Sequence, residues 1–164
     1  MKCRDCGQEM QQIQESYPYT ESGLDNVYLE GIPVYRCSND HVVARIPRPA
    51  ALSDAIADAV LSKSSRLTGP EIRYLRKHLR LKAKEFAKQL GVDKTTYSRW
   101  EHKGAGPHAD KLIRATYAAH RKHPELAEVI CAFSDIDSAV SGFHQCITMR
   151  PTNGHYEIVF ADPP

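Results

Sequence analysis

Residues 83–104 read AKEFAKQLGVDKTTYSRWEHKG, and two helical patterns meet inside this stretch. Ala83, Phe86, Ala87 and Leu90 recur at intervals of three and one, which places them on one face of a helix over 82–90. Gly91 closes that helix, because the residue after a helix end takes a left-handed backbone that glycine adopts without steric cost. Asp93 then has the chemistry of an N-cap, opening a second helix over 93–101 in which Tyr97 and Trp100 face the core. That arrangement leaves Lys94, Thr95, Thr96, Ser98 and Arg99 outward.

Two helices joined so tightly have the geometry of a helix-turn-helix, in which the first helix crosses the DNA backbone and the second presents its N-terminal residues to base edges. Val92 would plug the angle between them. An outward set of Lys, two Thr, Ser and Arg suits hydrogen bonding to phosphates and bases, and Arg99 could read guanine bidentately. A three-helix bundle with a merely polar surface is the other reading of the same residues.

The flanks extend the pattern. Pro70 suits the first turn of a helix over 70–79, whose face is Ile72, Leu75 and Leu79. Ala109, Leu112, Ile113 and Thr116 mark a fourth helix, and Pro124 opens a fifth with Leu126, Val129, Ile130 and Phe133. Upstream, Leu52, Ile56 and Val60 are spaced by four, with Ser53 and Asp54 near the start. This stripe serves an interdomain or dimer contact, or ordinary helix packing.

Charge is distributed unevenly. The formal net charge of the 164 residues is only +2, yet residues 66–122 carry 15 Lys and Arg against 5 Asp and Glu. The segments before and after this block are both net acidic. A basic block of this kind is the electrostatic footprint of nucleic-acid binding, although a solvated helical surface has the same composition. His102, His108, His120 and His123 lie in or beside it, as phosphate contacts or plain surface.

The N-terminal third has a different period. Short apolar pieces (Val27, Leu29 and Ile32; Val34 and Tyr35; Val42 to Ala44) alternate with turn residues and end at Pro47 and Pro49, which predicts two short hairpins. Cys3 and Cys6 have the spacing of half a zinc site, and Cys37 supplies a third sulfur. Few apolar side chains are available there for a core, so metal binding would provide much of this module's folding energy. Five cysteines cannot all pair, which favours a reducing compartment over an extracellular one. With no apolar run of membrane-spanning length and no signal-like apolar core, a cytoplasmic location is expected. Cys131 and Cys146 are expected as small packing residues, with a second metal site including His144 as the alternative. Cys146 to Met149 and Tyr156 to Phe160 flank Asn153-Gly154, a strong hairpin signal. No nucleophile triad, phosphate-cradling glycine loop or catalytic carboxylate pair stands out, and no enzymatic activity is expected.

The Gly-apolar turn followed by Ser98-Arg99-Trp100-Glu101 resembles the Xre, lambda-repressor-like helix-turn-helix family. Together with Cys3, Cys6 and Cys37 ahead of it, the order of modules over about residues 1–125 resembles the MqsA-like antitoxins and the YgiT-type zinc-finger regulators. The resemblance implies a zinc module that contacts a small toxin and a domain that dimerises on an inverted-repeat operator to repress its own operon. It makes Arg99 the principal base reader, with Thr95 one turn before it on the same face. Asparagine is the family residue at the Thr95 position, so the operator should differ. Such first helices commonly begin Thr-Gln; here Lys82-Ala83 stands in that place, and Lys82 or Lys84 would supply the phosphate contact. The family's fourth zinc cysteine would fall at position 40, where this chain has Asp40 followed by His41. Because Cys3His is a well-populated structural zinc set, the expected ligands are Cys3, Cys6, Cys37 and His41, with Asp40 as the alternative to His41. A closed four-ligand site serves folding rather than catalysis.

The expected fold is therefore α+β: a small N-terminal β-rich zinc-binding module (1–49), a connecting helix and linker (50–68), an all-α Xre-type domain (69–125) and a C-terminal extension with a short β-hairpin (126–164). Five helices are counted from residue 69 onward. The expected DNA-contacting set is Lys82, Lys84, Lys94, Thr95, Thr96, Ser98, Arg99 and Lys103. Expected partners are double-stranded DNA, a second copy of the chain and a small toxin; the alternative is a free-standing phage or host regulator whose zinc module is structural or mediates dimerisation.

Overall fold

The computed structural model describes residues 1–121 and 146–161. Strands β1 (Met10–Ile13), β2 (Tyr17–Pro18), β3 (Val27–Leu29), β4 (Val34–Cys37) and β5 (Val42–Ala44) come first. Helices α1 (Pro49–Ser62), α2 (Gly69–His78), α3 (Ala83–Gln89), α4 (Lys94–Lys103) and α5 (Pro107–Arg121) follow, then β6 (Cys146–Thr152) and β7 (His155–Ala161). The α+β class is as expected. The five described helices include α1, while the helix expected from Pro124 lies outside the described residues, as do His123, Cys131 and His144.

The strands form two sheets, of order β1-β4-β5 and β2-β3-β6-β7. In the first, β4 and β5 form a hairpin and β1 pairs antiparallel along β4, with Met10 opposite Cys37. In the second, β6 pairs parallel with β3, setting Val27 opposite Ile147 and Leu29 opposite Met149. The expected C-terminal hairpin exists, with Asn153-Gly154 as its two-residue turn and Gly154 at φ 110°. It extends the N-terminal sheet rather than standing apart from it.

One apolar core runs through both halves. Val27, Leu29 and Val34 share it with Leu52, Ile56 and Val60 of α1, with Ile72, Phe86, Tyr97 and Tyr117 of the later helices, and with Ile147 and Met149 of β6. The stripe Leu52-Ile56-Val60 is completely buried, and α1 packs on β6, β7 and α2. Cys146 is buried at the start of β6.

Leu112 belongs to the fourth helical pattern and is 42% exposed on α5, because Ile113 and Tyr117 carry that helix's core contact. Ser53 and Asp54 lie near the start of α1, which begins at Pro49 with Pro in its first turn, and neither caps it. Ser53 instead lies in hydrogen-bond contact with Tyr74 of α2, and Asp54 pairs with His78 and Arg121.

The link between α1 and α2 is held by buried charge. Arg114 and Asp110 are both fully buried and paired at 2.7 Å. The Arg114 guanidinium donates to the carbonyls of Leu61, Lys63 and Ser65, and the Asp110 carboxylate accepts the Leu67 N–H. Three backbone groups of the non-helical link and the Leu61 carbonyl at the end of α1 are thereby satisfied away from water, where leaving them unpaired would be costly. Among the described residues no helix is long and apolar enough to cross a membrane.

Candidate metal centre and nucleic-acid interface

Two tight turns carry the metal-type donors. In the first, the Gly7 N–H returns to the Cys3 carbonyl at 3.0 Å and the Cys3 N–H to the Gln8 carbonyl at 2.8 Å, with Gly7 at φ 72°. In the second, at the end of β4, the Asp40 N–H donates to the Cys37 carbonyl and the Cys37 N–H to the His41 carbonyl. Asp40 there takes φ 58°, a conformation that Asp tolerates better than most residues. The β1–β4 ladder brings the two turns together.

The Cys3, Cys6, Cys37 and His41 donor atoms all lie within 4.8 Å of one another. His41 Nδ1 is 3.5 Å from both the Cys3 and the Cys37 sulfur, and the Cys6 and Cys37 sulfurs are 3.6 Å apart. A tetrahedral ion with the usual zinc–sulfur and zinc–nitrogen bond lengths has sulfur–sulfur edges of about 3.8 Å and sulfur–nitrogen edges of about 3.6 Å. These three contacts have about those dimensions, so the four residues can hold a metal ion. Asp40 is outside it: its side chain is 83% exposed and faces Arg36 at 3.4 Å. The left-handed turn at Asp40 directs the histidine, not the carboxylate, to the sulfurs.

Backbone dipoles prepare the sulfurs for a cation. The Asp5 N–H, outweighing burial, lowers the Cys3 thiol from its ordinary value. Burial would raise the Cys37 thiol, but the Asn39 and His41 N–H groups reverse this and lower it. Cys6 goes the other way: the Gln8 N–H favours its thiolate, but burial and the neighbouring Cys37 and Cys3 sulfurs together raise it. Three crowded sulfurs resist full ionisation without a cation. The local apolar cluster is only Cys3, Met10 and Cys37, flanked by Cys6 and Tyr35, too small to hold this corner by burial alone.

Around the α3–α4 turn, Gly91 takes φ 68° and has no atom near where a Cβ would stand, so the requirement for glycine is conformational rather than steric. The Val92 N–H returns to the Ala87 carbonyl at 3.0 Å, and its half-buried side chain packs against the main core. Asp93 caps α4 by accepting the Thr95 and Thr96 N–H groups, both at 2.9 Å.

The chain carries a helix-turn-helix. Residues 72–115 match the helix-turn-helix family HTH_3. No curated protein and no solved structure matches the chain. The helix-turn-helix is of the Xre type and is the DNA-binding domain of transcriptional regulators, so double-stranded DNA is the ligand class it implies.

The second helix of the helix-turn-helix is anchored from behind. Tyr97 is fully buried and meets Phe86 edge to face at 5.6 Å, while Trp100 is half-buried against the same core. Arg76 grips the Glu101 carboxylate at 2.6 Å and Arg73 approaches it at 3.5 Å, tying α4 to α2. Gly69 lies so close that a Cβ there would meet the Glu101 carbonyl oxygen at 2.5 Å.

Of the expected DNA-contacting residues, Lys94, Thr95, Arg99 and Lys103 are exposed on α4, and Lys82 and Lys84 are exposed at the start of α3. Thr96 and Ser98 are half-buried. Lys82 occupies the N-cap of α3, with its N–H bonded to Glu85 at 2.7 Å. His102, His108 and His120 are exposed, and His120 is bound to Gln89 at 2.6 Å. The supporting residues Arg73, Arg76 and Glu101 were not singled out from the sequence. Glu101 was visible as the acidic end of the Ser-Arg-Trp-Glu run, but its partners sit a helix away.

Proposed function

We propose that this chain is a sequence-specific transcriptional repressor that binds an inverted-repeat operator as a homodimer. The observation that carries the reading is the exposed face of the first two turns of α4, with Lys94, Thr95 and Arg99 facing solvent within the strongly basic segment. One recognition helix reads too few base pairs for useful specificity, and half-sites a helical turn apart mirror a two-fold protein. Thr95 and Arg99 contact base edges, and Lys82, Lys84, Lys94, Thr96, Ser98 and Lys103 complete the contact surface. Repression follows from occupying the promoter, in the cytoplasm.

Cys3, Cys6, Cys37 and His41 hold a structural Zn2+. The ion would neutralise the sulfurs and cross-link the two turns of a module with almost no core of its own. Four protein donors close the coordination sphere, which supports a folding role over a catalytic one.

The order of a zinc module before an Xre domain supports a finer reading: an antitoxin whose N-terminal module binds a small toxin and which autoregulates its operon. Co-purification with the product of the adjacent gene tests it; absence of a complex would leave a free-standing regulator. The repressor itself is tested by a gel-shift titration on the chain's own upstream DNA at two salt concentrations, against a random duplex. Selective binding with two chains per site is expected. Equal, weak binding to both duplexes would overturn the reading.

A further inference from the structure

Asp93, Thr96 and Arg99, in and just before the first two turns of α4, form a hydrogen-bond relay. The Arg99 Nη2 donates to the Thr96 Oγ1 at 3.3 Å. The Thr96 hydroxyl in turn donates to the Asp93 Oδ2 at 2.6 Å. The other Asp93 oxygen accepts the Thr95 and Thr96 N–H groups. Each bond therefore runs in one direction and ends on a carboxylate that the helix start already holds in place.

Resting on the DNA-reading role of α4, we propose that Thr96 and Asp93 are positioning residues that hold the Arg99 guanidinium ready for a guanine, and that Thr96 is not itself a base reader. The hydroxyl proton of Thr96 is committed to Asp93 and one of its lone pairs to Arg99, so it has no donor left for a base edge. One N–H of Arg99 is occupied and four remain, enough for a bidentate contact with guanine O6 and N7. A long, exposed arginine otherwise loses rotamer freedom on binding, and a side chain already held in place loses less. The relay also accounts for an acidic residue on a DNA-facing helix end. Asp93 is held ionised below the usual carboxylate range by the Thr96 hydroxyl first and by N–H groups of the first turn, and its charge is directed inward along the relay.

The test is selection of preferred sites from a pool of randomised duplexes by the full-length protein and its variants. Arg99→Ala identifies the base pair that Arg99 reads. Thr96→Val should then lower guanine preference at that same base pair by about 3- to 10-fold, the range expected for one hydrogen bond, with an unchanged salt slope. Thr96→Ser should restore the preference, and Thr96→Val added to Arg99→Ala should alter base preference at that position no further. Asp93→Asn keeps the N–H acceptor but turns the relay's end into a donor, and should give a partial loss at that same position. If Thr96→Val leaves the Arg99 base pair unaltered, or relaxes a different one, the positioning role is overturned while DNA reading stands. A wild-type protein that selects no sequence at all would overturn DNA reading and the relay with it.

Discussion

The Lys63 ammonium lies 2.7 Å from the Glu71 carboxylate, and both side chains are completely buried. Glu71 also accepts the Thr68 N–H at 2.7 Å and the Asn26 side-chain amide at 3.3 Å. One carboxylate thus joins the residue that leads into β3, the α1–α2 link and the start of α2. Removing one partner leaves a buried charge uncompensated, so Lys63→Met should destabilise the protein by about 3–5 kcal/mol. The double variant Lys63→Met/Glu71→Leu should recover much of that loss, less about 1 kcal/mol for the lost cap of α2. Urea unfolding measures both, and a Lys63→Met cost well below 1 kcal/mol would show that water reaches the pair.

At Gly69 the constraint is steric and comes from another helix. The added methyl of Gly69→Ala meets the Glu101 carbonyl oxygen at 2.5 Å, and backbone on both sides must shift. A loss of about 1–3 kcal/mol is expected, together with weaker DNA binding because α4 is displaced. Neutral or increased stability in thermal melts would contradict the close approach.

Metal analysis of the purified protein should find one zinc ion per chain. His41→Ala and Cys37→Ser should lose it, whereas Asp40→Asn should keep it, because Asn also tolerates the left-handed turn. Chelation should expose the Cys3, Cys6 and Cys37 thiols to alkylation and loosen the β1-β4-β5 sheet while the α2–α5 core persists. Retention of metal in His41→Ala with loss in Asp40→Asn would reverse the assignment.

His78 gives the fold a pH dependence. It is half-buried, stacks on Tyr74, bonds to the Tyr117 hydroxyl at 2.8 Å and lies 3.2 Å from Asp54. Burial, then the nearby Arg121, lower its pKa, and Asp54 and Asp58 only partly oppose this. A base whose folded pKa is depressed is less protonated in the folded than in the unfolded state. Its contribution is therefore intact above the ordinary histidine value and falls as pH drops through that value toward the folded one. Melting temperature should decline over this window more steeply in the wild type than in His78→Gln. Parallel profiles would rule His78 out as the titrating group.

On operator DNA, Arg99→Ala should cost about 1–3 kcal/mol and relax one base position. Lys82→Ala should weaken binding to all sequences alike and reduce the salt slope by roughly 1. Equal losses on operator and random duplex for Arg99→Ala would assign Arg99 to the phosphates.

Much of the helical region was legible because its signals are local. The spacing of Phe86, Ala87 and Leu90, the left-handed requirement at Gly91 and the cap at Asp93 act within a few residues of chain. The same holds for the Asn153-Gly154 hairpin. The exposure of Leu112 was not legible for a related reason: a helical period marks an apolar stripe, but which edge of the stripe meets the core depends on the neighbouring helices. Cys3, Cys6 and Cys37 were conspicuous by residue type, yet the choice between Asp40 and His41 depended on the left-handed backbone at Asp40, which turns successive side chains to different sides.

The sequence by itself determined the periods, turns and donor types: an α+β chain with a helix-turn-helix at its centre and a cysteine-rich beginning. Those features arise from the backbone preferences and side-chain chemistry of near neighbours. Only the tertiary structure decided that β6 joins β3, that Lys63 meets Glu71 and Arg114 holds the α1–α2 link, and that Arg76 braces α4 through Glu101. The physical reason is that such pairings depend on the burial of distant segments in one shared core. A buried charge cannot be told from an exposed one until the surfaces that cover it are in place.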